Sequence, residues 1–548
     1  MRTVDRRTRC VCALLPALLL LLAACAGDPA ERGSGAGSRA DGLVTVRALM
    51  NKDPASVSLI GKTDRNADTL AVQITDSLVQ YDSQLVFVPR LAESWSFSDD
   101  HRSVTFKLRP GVRWHDGHEL TSADVAFTLQ LVRRPEVENR TYAPLFAEME
   151  SVTTPDPLTV VVRFTRADPD ILDAFRVPIV PAHRIDPDGD FLTSEFARHP
   201  IGCGPFRFVR YRPGEEIVLE ANDDYWDGRP FMDRLVFRIF PEHATAYQAM
   251  LRGDLETMVA VPELYRQALE QDTAGRLEGL VFYRLSVWQI IWNLDGSNPF
   301  FDDVRVRKAM ILATDRDSFN RSVVHGLGRV PASIYHQELP WHDPDLLPLP
   351  YDPGAARELL EQAGWIDQDG DGVRERSGRE LEFTLMIIAS SQKLNDHMAA
   401  WLQQSWAEVG ARVEIEKLEW LQFRERRNSH QFMAAMGGVG LTTNPDMYPL
   451  YHSKAVAQMN YGRFADAEVD DLIESSRRIF DPAERQRSVR QLERRLFELQ
   501  PAAWLFNFPS PLLHDRRLQG IRTSPVGHWA TSEGPRLWRW SETRPEQD

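Results

Sequence analysis

Cysteine is scarce in this chain, with only Cys10, Cys12, Cys25 and Cys203 among 548 residues. The first three lie in or at the end of an apparent export signal, so Cys203 stands alone and no intrachain disulfide is expected in the mature protein. Basic charge is also short: 64 Lys and Arg face 79 Asp and Glu, a net charge of -15. That balance argues against nucleic-acid binding, where phosphate neutralisation supplies much of the affinity. Complete catalytic motifs are missing. "HELTS" (His118 to Ser122) places Ser122 where a zinc-binding helix needs its second histidine. "SVSLIGKT" (Ser56 to Thr63) has Ser56 where a phosphate loop needs glycine, and "GCGPFR" (Gly202 to Arg207) lacks the third glycine of a dinucleotide loop. No G-x-S-x-G elbow occurs. These gaps favour a binder over an enzyme, although 14 histidines and many carboxylates could assemble a site across the fold.

What is present begins with targeting. Arg2, Arg6, Arg7 and Arg9 precede the apolar run Val11 to Ala24, which contains Pro16 and ends in small residues. This is the layout of a secretory signal, residues 1–24, and is shorter than the roughly 20 apolar residues of a membrane span. "LAAC" (Leu22 to Cys25) resembles a bacterial lipobox, which implies lipidation of Cys25; simple cleavage is the alternative. Residues 25–42 are small, polar and glycine-rich and read as a flexible tether. Without the signal, which carries four arginines and one aspartate, the net charge becomes about -18.

Beyond the tether, strand and helix periods mix, in a chain long enough for two or three domains. Val104, Phe106 and Leu108 alternate with polar residues as in a half-buried strand. Pro110-Gly111 marks a turn. Thr121 and Asp124 then form a capping-box pattern ahead of a helical face of Val125, Leu129 and Val132. Asp352-Pro353 and Asp481-Pro482 open two further helices, the second with the apolar stripe Val489, Leu492, Leu496 and Leu499. The fold class is α/β or α+β, in more than one domain.

Two polar clusters invite a metal reading. His115, Asp116, His118 and Glu119 fall between a hairpin and a helix start, and the spacing reads as a turn. "DQDGDG" (Asp367 to Gly372) puts Asp367, Asp369 and Asp371 at alternate positions, like the first half of a calcium loop. Its twelfth position is Gly378 rather than glutamate, so a structural calcium and an acidic turn both remain open; no other cofactor is expected. The arginines from Arg477 to Arg495 alternate with acids opposite the leucine stripe and read as a solvated helix face. Trp401 and Trp406 fit core packing. Trp288 and Trp292, in an apolar run ending at Asn293, could instead wall an organic-solute site.

Longer blocks carry a resemblance. "PRLAESWSFSDDHRSVTFKLRPGVRWHDGHELTSADVAFTL" (Pro89 to Leu129), "HPIGCGPFRFVRYRPGEEIVLEANDDYWDGRP" (His199 to Pro230) and "NPFFDDVRVRKAMILATDRDSF" (Asn298 to Phe319) resemble, in order, the extracellular solute-binding proteins of the oligopeptide and nickel type. The resemblance implies a periplasmic-binding-protein-like α/β fold, with two lobes, a hinge and an extra subdomain. Lobe I would comprise 43–79, 186–285 and 513–540, the subdomain 80–185 and lobe II 286–512. It also implies a monomer on the extracytoplasmic face of a bacterial membrane, holding a small organic solute or peptide for an ABC permease without altering it. A solute sensor for a membrane signalling partner and an exported hydrolase are the rival readings.

Site residues implied by the resemblance are Asn66 and Asp68 in an early loop, Trp292 and Asn293 at the entry to lobe II, and Trp420. Trp288 joins them from the aromatic run, and Leu441 and Tyr448 from "AMGGVGLTTNPDMY" (Ala435 to Tyr448). Peptide-binding members resemble one another in an aspartate before the D-P or E-P pair of that stretch. Here the six residues before Asn444-Pro445 include no carboxylate. A buried ammonium without a counter-charge is costly, so a free-amine peptide is not expected there.

Overall fold

The computed structural model describes residues 42–389 and 394–541. The expected signal, Cys25 and all but the end of the tether lie outside the described residues. No helix among the described residues is long and apolar enough to cross a membrane.

Three sheets organise the chain. The first has seven strands, in the order Leu277–Tyr283, Pro509–Asp515, Thr257–Val259, Thr45–Met50, Arg234–Ile239, Glu216–Ala221 and Phe206–Arg212. Thr45–Met50 alternates as its sequence requires, burying Val46, Ala48 and Met50, and pairs in parallel with Arg234–Ile239. The second, antiparallel sheet orders Ala92–Phe97, Ser103–Leu108, Thr159–Phe164 and Met149–Asp156. Val104, Phe106 and Leu108 point into its core, as their alternation predicts. The capping box forms at Thr121 and Asp124 and starts the helix Ser122–Leu131, with Val125, Leu129 and Val132 buried. The third sheet orders Arg412–Leu418, Glu382–Ile388, Ala434–Gly440, Ser286–Trp292 and Ala502–Phe506. Its flanking helices include Pro353–Gln362 and Pro482–Leu499, capped by Asp352 and Asp481 as expected.

The chain passes between the first and third sheets twice, each time over two residues. Leu277–Tyr283 hands over to Ser286–Trp292 through Arg284 and Leu285; Ala502–Phe506 hands back to Pro509–Asp515 through Asn507 and Phe508. Asn507 Nδ2 donates to the Ser286 carbonyl at 2.8 Å, tying the crossings together. The second crossing therefore falls at 507–508, not between 512 and 513, because Pro509–Asp515 runs wholly in the first sheet.

His115 serves the turn rather than a metal site. Its Nδ1 accepts from the Gly202 amide at 3.1 Å, and its Nε2 lies 3.1 Å from the Gly204 carbonyl. Burial pushes this imidazole down to about 4, so it is neutral and carries its proton on Nε2. The residue braces the "GCGPF" loop, and Trp114 to His118 forms the expected turn. Cys203, inside that loop, is buried with its thiol pushed up to about 12 by desolvation, and is chemically quiet.

Candidate functional site: the cavity between the lobes

A cavity of about 720 Å³ opens where lobe I, the subdomain and lobe II meet. The helix Arg65–Ile74 contributes Arg65 and Asp68; the subdomain contributes Tyr142 and Asp173; lobe II contributes Leu441 and Thr443. Its size falls in the range of sites that enclose small organic ligands.

Side chains bridge the cleft beside it. Arg485 and Asp170 form a two-pronged ion pair, Nη1 to Oδ1 at 2.6 Å and Nη2 to Oδ2, with side chains only 5% and 13% exposed. The Tyr81 and Thr443 hydroxyls lie 2.7 Å apart. Thr443 Oγ1 donates to Asp173 Oδ2 at 3.2 Å, while Arg176 donates to Asp173 Oδ1 at 3.2 Å. His101 stacks on Phe480 with ring centroids 4.0 Å apart. Apart from the Arg176–Asp173 bond, which lies within the subdomain, these contacts join the subdomain to lobe II, so the structure shows the lobes shut.

The sequence-implied site residues divide sharply. Asp68 and Leu441 line the cavity. Asn66 does not; its amide donates to the Lys52 carbonyl at 2.9 Å and braces the adjacent loop. Trp292 is 0% exposed and stacks on Phe301 at 4.4 Å in the lobe II core, which corrects its assignment to the site. Asn293 is corrected likewise: it is buried, donating to the Phe432 and His430 carbonyls at 2.9 and 3.1 Å. Trp292 ends a strand interior to its sheet, and Asn293 follows it directly. Trp288 packs edge-on against Phe508 at 5.6 Å, outside the cavity lining. Tyr448 lies under the Arg477 guanidinium at 4.6 Å, also outside it. Trp420, 48% exposed, lines a separate cavity of about 210 Å³ made wholly from lobe II residues.

Arg485 is buried and does not belong to the solvated face of its helix. It stands four residues before Val489 and seven before Leu492, so it continues the buried stripe of its helix. That spacing was the available signal.

The expected lack of a counter-charge for an ammonium does not extend to the whole cavity. Asp68 has no hydrogen-bond or ion-pair partner for its carboxyl among the described residues. Burial, then the neighbouring Asp64, push it up to about 6, against the pull of Arg176 and Arg65. An unfolded aspartate titrates near 3.9. The folded state thus holds this proton more tightly; the stabilisation is full below about pH 4 and lost as pH rises through about 6. Asp68→Asn should therefore raise the unfolding midpoint of ligand-free protein at pH 7.5 by about 2 °C or more, a gain that vanishes near pH 4. Equal shifts at both pH values, followed by calorimetry, would contradict this origin.

The two polar clusters also resolve. Asp116 meets both His118 Nδ1 (3.2 Å) and His183 Nε2 (2.8 Å), the latter arriving from a distant segment. These hydrogen bonds account for the cluster, whose three ligating atoms lie within 4.8 Å of one another on the surface. In the acidic loop, Asp367 and Asp369 gather with Glu375 rather than with Asp371. Asp371 turns instead to Arg412 at 3.3 Å and to the Val373 amide, which corrects the implied calcium ligand set.

Two lobes shut on a cavity of this size define a receptor that encloses a solute. A sequence model of the bacterial extracellular solute-binding proteins, family 5 Middle, matches residues 86–461. The chain belongs to this family, the extracytoplasmic solute-capturing components of ABC importers, which are not enzymes. It is 29% identical to the oligopeptide-binding protein AppA of Bacillus subtilis over 528 residues, covering 93% of this chain and 95% of that one. The structure of that AppA in complex with a nonapeptide aligns with a TM-score of 0.72 at 26% identity, covering 91% and 99%. NikA from Brucella suis, in complex with Fe(III)-EDTA, shares the fold with a TM-score of 0.80 at 21% identity, covering 91% and 100%.

Proposed function

We propose that this protein, working as a monomer tethered by lipid on Cys25, captures a short peptide or an organic solute of similar size in the interlobe cavity. The carrying observation is that cavity itself, about 720 Å³, with cross-cleft bonds beside it that can form only when the lobes meet. A ligand touching both lobes adds binding energy to the closed state alone, which shifts the open–closed equilibrium toward closure. Closed protein is then distinguishable to a permease. The likeness to AppA, which holds a nonapeptide, supports a peptide. Asp68 supports it too, as an acceptor for an amine.

Native mass spectrometry of freshly purified protein should show a bound organic mass, and X-ray scattering should show a smaller radius of gyration with that solute than after its removal. The same radius in both states would refute capture by closure. For the anchor, Cys25→Ser should release the protein from membranes into the soluble extracytoplasmic fraction. Unchanged membrane association would remove the lipid from the account.

A further inference from the structure

The cavity holds a cation with no anion opposite it. Arg284 sits at the first crossing between the lobes, and its side chain lines the cavity. By contrast, Arg176, which also lines the cavity, is matched by Asp173, and Arg485 beside it by Asp170. Arg284 has no side-chain hydrogen bond or ion pair among the described residues. It rests against the Phe282 ring, 5.2 Å from the centroid, and beside Gly527.

The charges around it make matters worse for a bare cation. Arg65, which also lacks an ion pair among the described residues and lines the cavity, acts on it as a like charge. Burial is the larger influence, and together they pull the Arg284 guanidinium down to about 9. His528, buried beside it, is pushed down to about 3 and adds no negative charge. A buried cation left unpaired is strongly unfavourable, whereas a guanidinium fork pairs two-pronged with a carboxylate.

We infer that Arg284, assisted by Arg65, receives an anionic oxygen group of the captured solute, a carboxylate or similar oxyanion, at the hinge side of the cavity. This rests on the capture reading and narrows its ligand class. The position also couples recognition to closure. Residue 284 is flanked by Leu285, whose carbonyl accepts from the Leu441 amide of lobe II at 2.8 Å. An anion seated there is held where the lobes pivot.

The test compares the mature protein with its Arg284→Gln variant, both stripped of ligand. In chloride the variant should unfold at the same temperature as the parent or higher, since a bare buried charge is gone. Inorganic phosphate at matched ionic strength should raise the midpoint of the parent and leave the variant unmoved. In calorimetry with short peptides, the free carboxylate should bind the parent at least about tenfold tighter than the matching carboxamide, and the variant should lose this preference. A variant several degrees less stable in chloride would make Arg284 structural and overturn the inference, as would an equal phosphate response or equal binding of the peptide pair. Closure on a solute that ignores Arg284 would sink this inference and leave capture standing. A phosphate effect dependent on Arg284, with no solute that shuts the lobes, would sink capture by closure and reduce Arg284 to an anion site, overturning the assignment to a captured solute.

Discussion

Gly202→Ala should destabilise the protein by about 4 kcal/mol or more, seen as a large loss of unfolding midpoint and of soluble yield. A Cβ at residue 202 would lie 1.9 Å from the Ile74 carbonyl oxygen, 2.6 Å from its carbon and 2.8 Å from Thr75 Cβ. These atoms belong mainly to backbone and have nowhere to go. Ile74 and Cys203 are fully buried, Gly204 N donates to Ile74 O at 2.9 Å, and Thr75 Oγ1 donates to the Ile179 carbonyl at 2.6 Å. Overpacking that a side chain relieves costs about 1–3 kcal/mol; here the end of a helix must move. That helix, Arg65–Ile74, carries Arg65 and Asp68 into the cavity, so a survivor should also bind solute poorly. Gly440→Ala, with nothing within 4 Å of the added atom, is the control and should be near neutral. Equal midpoints for the two variants would show that the loop gives way.

The same loop shows what the sequence discloses and what it withholds. "GCGPF" looks like a failed cofactor loop because glycine spacing does not say what approaches the backbone. In three dimensions the approaching group is a helix end, and His115 from another segment closes the joint. Local codes are plainer. The alternation of Val104, Phe106 and Leu108 and the Thr121 capping box are decided by near neighbours and appear as written. The two-lobed plan was legible through long matching blocks, while the second crossing missed by a few residues because Pro509–Asp515 is one unbroken strand.

Site residues were harder, for a physical reason. An aromatic strand is a good wall for a solute and an equally good filler for a core, and only sheet position separates the two. Trp292, at the end of an interior strand, and Asn293 just beyond it are buried and serve the core; Asp68, on a helix at the cleft, does not. Arg284 and Arg485 are both arginines near apolar residues. Whether each finds a carboxylate depends on chain segments far apart in sequence, such as Asp170 for Arg485.

Arg485→Met should open the receptor. The Arg485 side chain also donates from Nε to the Ser476 carbonyl at 3.1 Å, so its fork is aimed at Asp170 before the lobes meet. Asp170 and Asp173 stand three residues apart at the start of the 3-10 turn Ile171–Arg176 and face lobe II together. Truncating one partner of a buried, hydrogen-bonded charge pair costs about 2–5 kcal/mol, because the other charge stays buried and unmatched. Charged to closure, that weakens solute binding between about 30-fold and a few thousandfold, since apparent affinity falls with the closed fraction. Scattering should show a larger radius of gyration for the ligand-free variant, independent of which solute is used. The defect has a sign with pH. Burial already pushes the Asp170 carboxyl up to about 6 while Arg485 pulls it down. Without Arg485 it takes a proton more readily, so the loss should be milder at pH 5 than at pH 8. Asp170→Asn combined with Arg485→Met should then be less damaging than the sum of the two single changes. An Arg485→Met protein with the parent's radius and a dissociation constant within about twofold would show that this pair is a bystander to closure.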